Sequence, residues 1–226
     1  MERLKRIVVT SDASGARQAA LDGMLVIIVD VIDMSTTLES ALDAGAYAIL
    51  GASPDYTRAP VSVAPDKIGI EACRLAREIN NNIVIVSEPR VGSDDERIAR
   101  CQKVINSIQA EGGIIEAILP NLGAETPKIT ELKDRVVVAV TDTGGVAYDA
   151  AYVESRQVVT ATVARTYKQR GIEPALTGVR RAYKLLKETD TGIAVVAASR
   201  NSMEDVLAAQ FIANLITMNK HIIHEG

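Results

Sequence analysis

Residues 24–37 read MLVIIVDVIDMSTT. An unbroken apolar run, Met24 to Val29, passes directly into Asp30, Asp33, Ser35, Thr36 and Thr37. A strand with one wet face alternates apolar and polar residues. An uninterrupted run belongs to a strand covered on both faces, the habit of parallel sheets packed under helices. The polar residues then fall at the carboxyl end of that strand, where a helix begins. This one stretch therefore predicts both the fold class and the place to look for chemistry.

Similar runs recur along the chain. Strands are expected at Ile7–Thr10, Leu25–Ile32, Ala46–Leu50, Ile83–Ser87, Ile114–Leu119, Val136–Thr141, Val158–Val163 and Ile193–Ala198. Helical periodicity lies between them, near 36–45, 66–80, 94–111, 145–153, 174–188 and 202–218. Thr36 with Glu39, and Ser93 with Glu96, have the spacing of capping boxes. Ser202 with Asp205 has that of a helix cap, and Pro65 suits a first helical position. Strand–helix alternation of this kind predicts βαβ units, hence a single doubly wound α/β domain over residues 1–226, with a mostly parallel sheet and helices on both faces. No linker, low-complexity tract or strong repeat divides the chain.

Composition narrows the function. Hydrophobic residues make up 47% and aromatic ones only 3%, so the core must be built from Val, Ile, Leu and Ala. A net charge of −4 leaves no basic surface for a phosphate backbone, which speaks against a nucleic-acid partner. No apolar run approaches a membrane span, and the start MERLKRIVVT lacks the apolar core of a signal peptide, so a cytoplasmic protein with no membrane partner is expected. Cys73 and Cys101 show no paired zinc spacing. Cys101 shares a helical stripe with Ile98, Ile105 and Ile108, as a buried small hydrophobe would. His221 and His224 read as tail residues.

In open parallel sheets, ligands bind beyond the carboxyl ends of the strands. Four junctions of that type carry polar residues. The first is Asp30 to Thr37. The second, Thr141-Asp142-Thr143-Gly144-Gly145, has glycines that let backbone amides approach an anion. The third, Ser199 to Asp205, includes Arg200, whose guanidinium could grip an oxyanion. The fourth, Ser87-Glu88-Pro89-Arg90-Val91-Gly92, adds a carboxylate and an arginine. No Walker loop, Gly-x-Gly-x-x-Gly or Gly-x-Ser-x-Gly is present.

At these junctions the chain resembles the 2-phosphosulfolactate phosphatases, Mg²⁺-dependent enzymes of coenzyme M biosynthesis. Asp30, Val31, Ser35, Thr36, Thr37, Ala41, Leu42, Gly45 and Ala46 match the family's opening motif. Glu204, Asp205, Ala208 and Ala209 echo its late motif, and Thr141 to Gly145 part of its middle one. The resemblance implies a phosphatase acting on a small anionic phosphoester, with Asp30 and Asp205 catalytic and Mg²⁺ on Asp30 and Glu204. Ser35, Thr36, Thr37, Thr143, Gly144 and Arg200 would bind the substrate. Three positions depart from the family. Asp33 stands where it has arginine, Thr143 where it has asparagine, and Gln210 where it has glycine. Asp33 reverses a charge beside an anionic substrate, so a relative that binds an anion or a protein partner without turnover is the alternative. Asp30 and Asp33 are one residue too far apart for the Asp-x-Asp of aspartyl-phosphate phosphatases. Homo-oligomerisation is left open.

Overall fold

The computed structural model describes residues 6–218. Eight strands alternate with helices in the order β1 (Ile7–Ser11), α1 (Asp12–Leu21), β2 (Leu25–Val29), α2 (Met34–Asp43), β3 (Ala48–Ala52), α3 (Pro65–Glu78), β4 (Ile83–Ser87), α4 (Asp94–Arg100), α5 (Gln102–Ala110) and β5 (Ile115–Pro120). A 3-10 turn (Gly123–Lys128) follows, then β6 (Val136–Val140), α6 (Gly144–Glu154), β7 (Val158–Ala161), α7 (Glu173–Leu185), β8 (Ile193–Ala197) and α8 (Met203–Met218). The doubly wound α/β class is as the sequence predicts, and every strand pairing is parallel.

The strands form two sheets, however, not one. Sheet A has the order β1-β8-β2-β7 and sheet B the order β3-β6-β4-β5. The chain crosses from A to B through α2 and returns through α6, so sheet B is a continuous excursion between β2 and β7. Helices α7 and α8 cover the outer face of sheet A, and α3 packs with α5 on the outside of sheet B. Helices α1, α2 and α6 lie between the sheets.

Alternation along β2 shows why an all-apolar strand is needed. Val26 and Ile28 point into the core between the sheets, with Met34, Leu38 and Tyr148. Leu25, Ile27 and Val29 point the other way, into the core under α7 and α8, with Val179, Ile212 and Ile216. The strand ends at Val29, short of the expected Ile32, because the Asp30 amide donates to the Ser35 hydroxyl (2.9 Å) and the chain turns.

Three helical readings change. Helix α1 is not expected from periodicity, since its buried face is only alanine: Ala13, Ala16, Ala19 and Ala20. Those small side chains let it pack closely on α6. The stretch expected as one helix over 94–111 is two, broken at Cys101. Cys101 is fully buried, and burial holds its thiol up at about 11, so it stays neutral. The Thr36–Glu39 capping box does not form. Asp33 is the N-cap of α2, the Thr36 hydroxyl donates to the Val31 carbonyl, and Glu39 pairs with Arg181. The Ser93–Glu96 box, the Ser202 cap on Asp205 and the first-position Pro65 are all present.

Helix α6 starts pressed against the end of β3: a Cβ added at Gly145 would strike the Ala52 carbonyl. Gly145→Ala should therefore cost about 1–3 kcal/mol in urea denaturation, the usual penalty of overpacking. Stability equal to the parent's would show that this contact has slack.

Candidate functional site

Asp30 leaves β2 into a buried position, 2% exposed. Its Oδ1 accepts from the Asp33 amide (3.1 Å). Its Oδ2 accepts from the Thr143 hydroxyl (3.0 Å) and the Gly144 amide (2.8 Å). The carboxylate thus joins the β2–α2 loop to the β6–α6 loop, the two places where the chain changes sheets. Gly144 is required there, because any Cβ would collide with the Asp30 carboxylate and Met34. Asp205, at the start of α8, comes to the same strand end from the other side. Its Oδ1 accepts from the Val31 amide (2.9 Å). Burial, and then repulsion from Asp205, raise the Asp30 carboxyl above its ordinary 3.8. Asp205 is raised too, mainly by burial.

The hydroxyls expected to bind substrate face inward. Ser35 donates to the Ile28 carbonyl (3.0 Å), and Thr36 meets Thr162 beyond β7 (2.8 Å). Thr37 donates to the Oδ1 of Asn121, beyond β5. All three are buried. Arg200 does not turn toward Asp30; it pairs with Asp12 at the end of β1, the strand next to β8. Glu204 is exposed, with the Ser202 hydroxyl as its partner. Asp30 and Asp205 are therefore neighbours, as expected, while Glu204 and Arg200 have partners elsewhere.

The open cleft lies beside this cluster. It measures about 410 Å³ and is lined by Ile32, Asp33, Glu88, Pro89, Arg90, Arg100, Asn121 and Asp142. These residues come from the carboxyl ends of β2, β4, β5 and β6 and from the end of α4, so the cleft sits where the strand ends of both sheets meet. Arg100 lies 2.6 Å from Asp142 and 3.7 Å from Glu88, and Arg90 lies 3.8 Å from Asp33. The loop after β4 is held by Arg97, which donates to the carbonyls of Pro89 (2.8 Å) and Gly92 (3.0 Å). Glu88 is raised to about 7, by burial first and then by the charges of Asp33 and Asp142, against the pull of Arg100. Asp33 is raised by burial and by Asp30, and is partly relieved by Arg90.

Two donors on the cleft residues lack partners: the Nδ2 of Asn121 and the Nε of Arg100. Leaving a buried donor unpaired costs about 1–3 kcal/mol. Neither residue stands out in the sequence. Asn121 follows a strand end, as the other junctions do, so the same rule reaches it. Arg100 sits in an ordinary helical stretch and gives no signal. Of the expected Mg²⁺ ligands, Asp30 is held by three protein donors, while Glu204 is exposed and accepts from the Ser202 hydroxyl.

A carboxyl whose pKa is raised by folding adds stability that is complete below its ordinary value and is lost as pH rises through the raised one. The exposed carboxylates lowered by ion pairs, such as Glu125 at about 2, act only below their ordinary 4.5. The thermal midpoint should therefore climb as pH falls from about 7 to about 5, and Glu88→Gln should flatten that climb. A midpoint that falls over this range would contradict the burial of these carboxyls as charged groups. In comparisons with known proteins, no protein-family model matches the chain and no curated protein matches it.

Proposed function

We propose that the chain is a hydrolase of small phosphorylated acids, working in this cleft with Glu88 as its acid–base group. One observation carries the reading: a glutamate held at about 7 lies in an open cleft between two arginines' ion pairs, beyond the ends of parallel strands. The phosphoester class comes from the resemblance to 2-phosphosulfolactate phosphatases at Asp30 to Thr37, Thr141 to Gly145 and Glu204 to Ala209.

Glu88 suits the acid role. An anionic substrate near it favours its protonated form, so bound substrate and proton reinforce each other. As water attacks phosphorus, the bond to the leaving oxygen breaks and Glu88 gives that oxygen its proton. The proton shed by the attacking water goes to solvent, and Glu88 is reprotonated from solvent. Arg90 and Arg100 offset charge on the phosphoryl oxygens. Asp30, Gly144 and Thr143 fix the loops that carry Asp33 and Asp142. The second reading, binding without turnover, is favoured by Asp33, whose carboxylate lines the cleft where the family carries arginine.

With Glu88 as the acid, kcat/KM on an alkyl phosphoester should fall as pH rises through about 7, since the free enzyme then loses the proton it must donate. Glu88→Gln should lower kcat on that substrate about 10²- to 10⁴-fold and remove the pH limb. An aryl phosphoester with an acidic leaving group needs less protonation and should lose much less. Equal losses on both substrates would rule out proton donation by Glu88. Binding without turnover of either would favour the second reading.

A further inference from the structure

We infer that Asn121 and Arg100 form the seat for one oxyanion of the ligand, a carboxylate or phosphate group entering the cleft beside Glu88. The inference deepens the proposed function and rests on its choice of cleft. Its support is geometric. Asn121 is 1% exposed, yet it lines the cleft. Its Oδ1 accepts from the Gly123 amide (3.3 Å) and the Thr37 hydroxyl. A backbone N–H can only donate, so the amide oxygen is fixed on that side and the nitrogen on the other. That nitrogen has no partner. Buried polar groups are nearly always paired, and one left open beside a cleft marks a place for an acceptor.

The neighbouring groups define that acceptor. Arg100 Nε is also without a partner, while its terminal nitrogen is taken by Asp142 (2.6 Å). Arg90 spends its Nε on the Asn121 carbonyl (2.9 Å) and keeps a terminal nitrogen 3.8 Å from Asp33, so its charge also reaches the cleft. Both unpartnered groups are donors, which suit oxygen lone pairs. The charged groups facing the seat are Asp33, Glu88 and Asp142 against Arg90 and Arg100. With Glu88 protonated these cancel, and the ligand then brings the uncompensated charge. A phosphorylated acid seated here by one charged group must keep its other charged group clear of Asp33 and Asp142.

The wiring also explains the inward turn of Thr37. This hydroxyl, expected to touch substrate, instead orients the amide that faces it. Thr37 is a positioning residue for Asn121. The backbone N–H of Asn121 in turn donates to the Ser87 carbonyl (3.1 Å), which fixes the end of β5 to the residue before Glu88.

Calorimetry on the full chain tests the seat, with inorganic phosphate and acetate as separate probes near pH 6. The parent should bind at least one, and the stronger of the two identifies the head group. Asn121→Asp keeps the acceptor for Gly123 and Thr37 but replaces the unpartnered donor, so affinity should fall roughly 10- to 100-fold. Arg100→Lys keeps the charge but removes Nε and should also weaken binding. Thermal melts on both variants separate lost binding from lost folding. Binding unchanged in both folded variants, or no binding of either anion by the parent, overturns the seat. The hydrolase reading is scored separately. Anion binding weakened by both changes, with no turnover of any phosphoester, keeps the seat and removes the hydrolase. Full turnover in Asn121→Asp removes the seat alone.

Discussion

The three hydrogen bonds on the Asp30 carboxylate hold together the two points at which the chain passes between its sheets. Without that acceptor, the Gly144 amide at the start of α6 and the Asp33 amide at the start of α2 would both lose a partner in a buried place. A buried carboxylate is costly to desolvate, and Asp205 beside it adds repulsion. The arrangement persists because the donors come from two separate loops, so one side chain fixes both. Asp33 and Asp142 then enter the cleft from directions those loops determine, and α2 carries Thr37 to Asn121. The cleft thus inherits its shape from a contact outside its own walls.

The class of fold is legible from residues 24–29 because burial on both faces leaves a pattern that needs no knowledge of partners. All eight strands are recognisable by the same logic, within a residue or two at most ends. The division into two sheets is not legible. Apolarity does not tell one strand's partner from another's, and pairing is decided by contacts between residues distant in sequence, such as Val26 with Val158. Helix α1 escapes because four alanines and a glycine make no amphipathic contrast, although they serve well where helices must approach closely. Within the site, the strand-end rule finds Asp30, Thr143, Gly144 and Asp205 as neighbours. It cannot tell which way a hydroxyl turns. Ser35, Thr36 and Thr37 have the composition of a binding loop and the orientation of a core. Arg200 finds Asp12 because β1 lies against β8, a fact of topology alone.

Several carboxyls gather at this edge of the molecule, and they are differently placed. Asp30 and Asp205 are sealed by backbone amides, whereas Asp33, Glu88 and Asp142 share two arginines across open space. Burial and repulsion act on both groups, but only the second lines the open cleft. Glu88 stands out because burial acts on it first and the charges of Asp33 and Asp142 add to that, while its arginine, 3.7 Å away, also pairs with Asp142. The same crowding that makes a group useful near neutral pH is a standing cost to the fold, an expense common at functional sites.

The excursion of β3 to β6 between β2 and β7 has a consequence for the order of assembly. Sheet B is built from consecutive chain, its pairings joining residues as far apart as Ala48 and Val136. Sheet A begins with β1 and β2 but has both neighbours of β2 at the far end of the sequence, beyond residue 157. During synthesis, the most apolar strand of the protein leaves the ribosome with neither edge paired, and it waits while more than half the chain follows. Strands β3 to β6 have all been made before α6 carries the chain back, so β7 and β8 can close over β2 only after them. An unpaired apolar strand is a template for aggregation. The interval before that closure is when this molecule most needs protection, and a chain halted before β7 would remain in that exposed state.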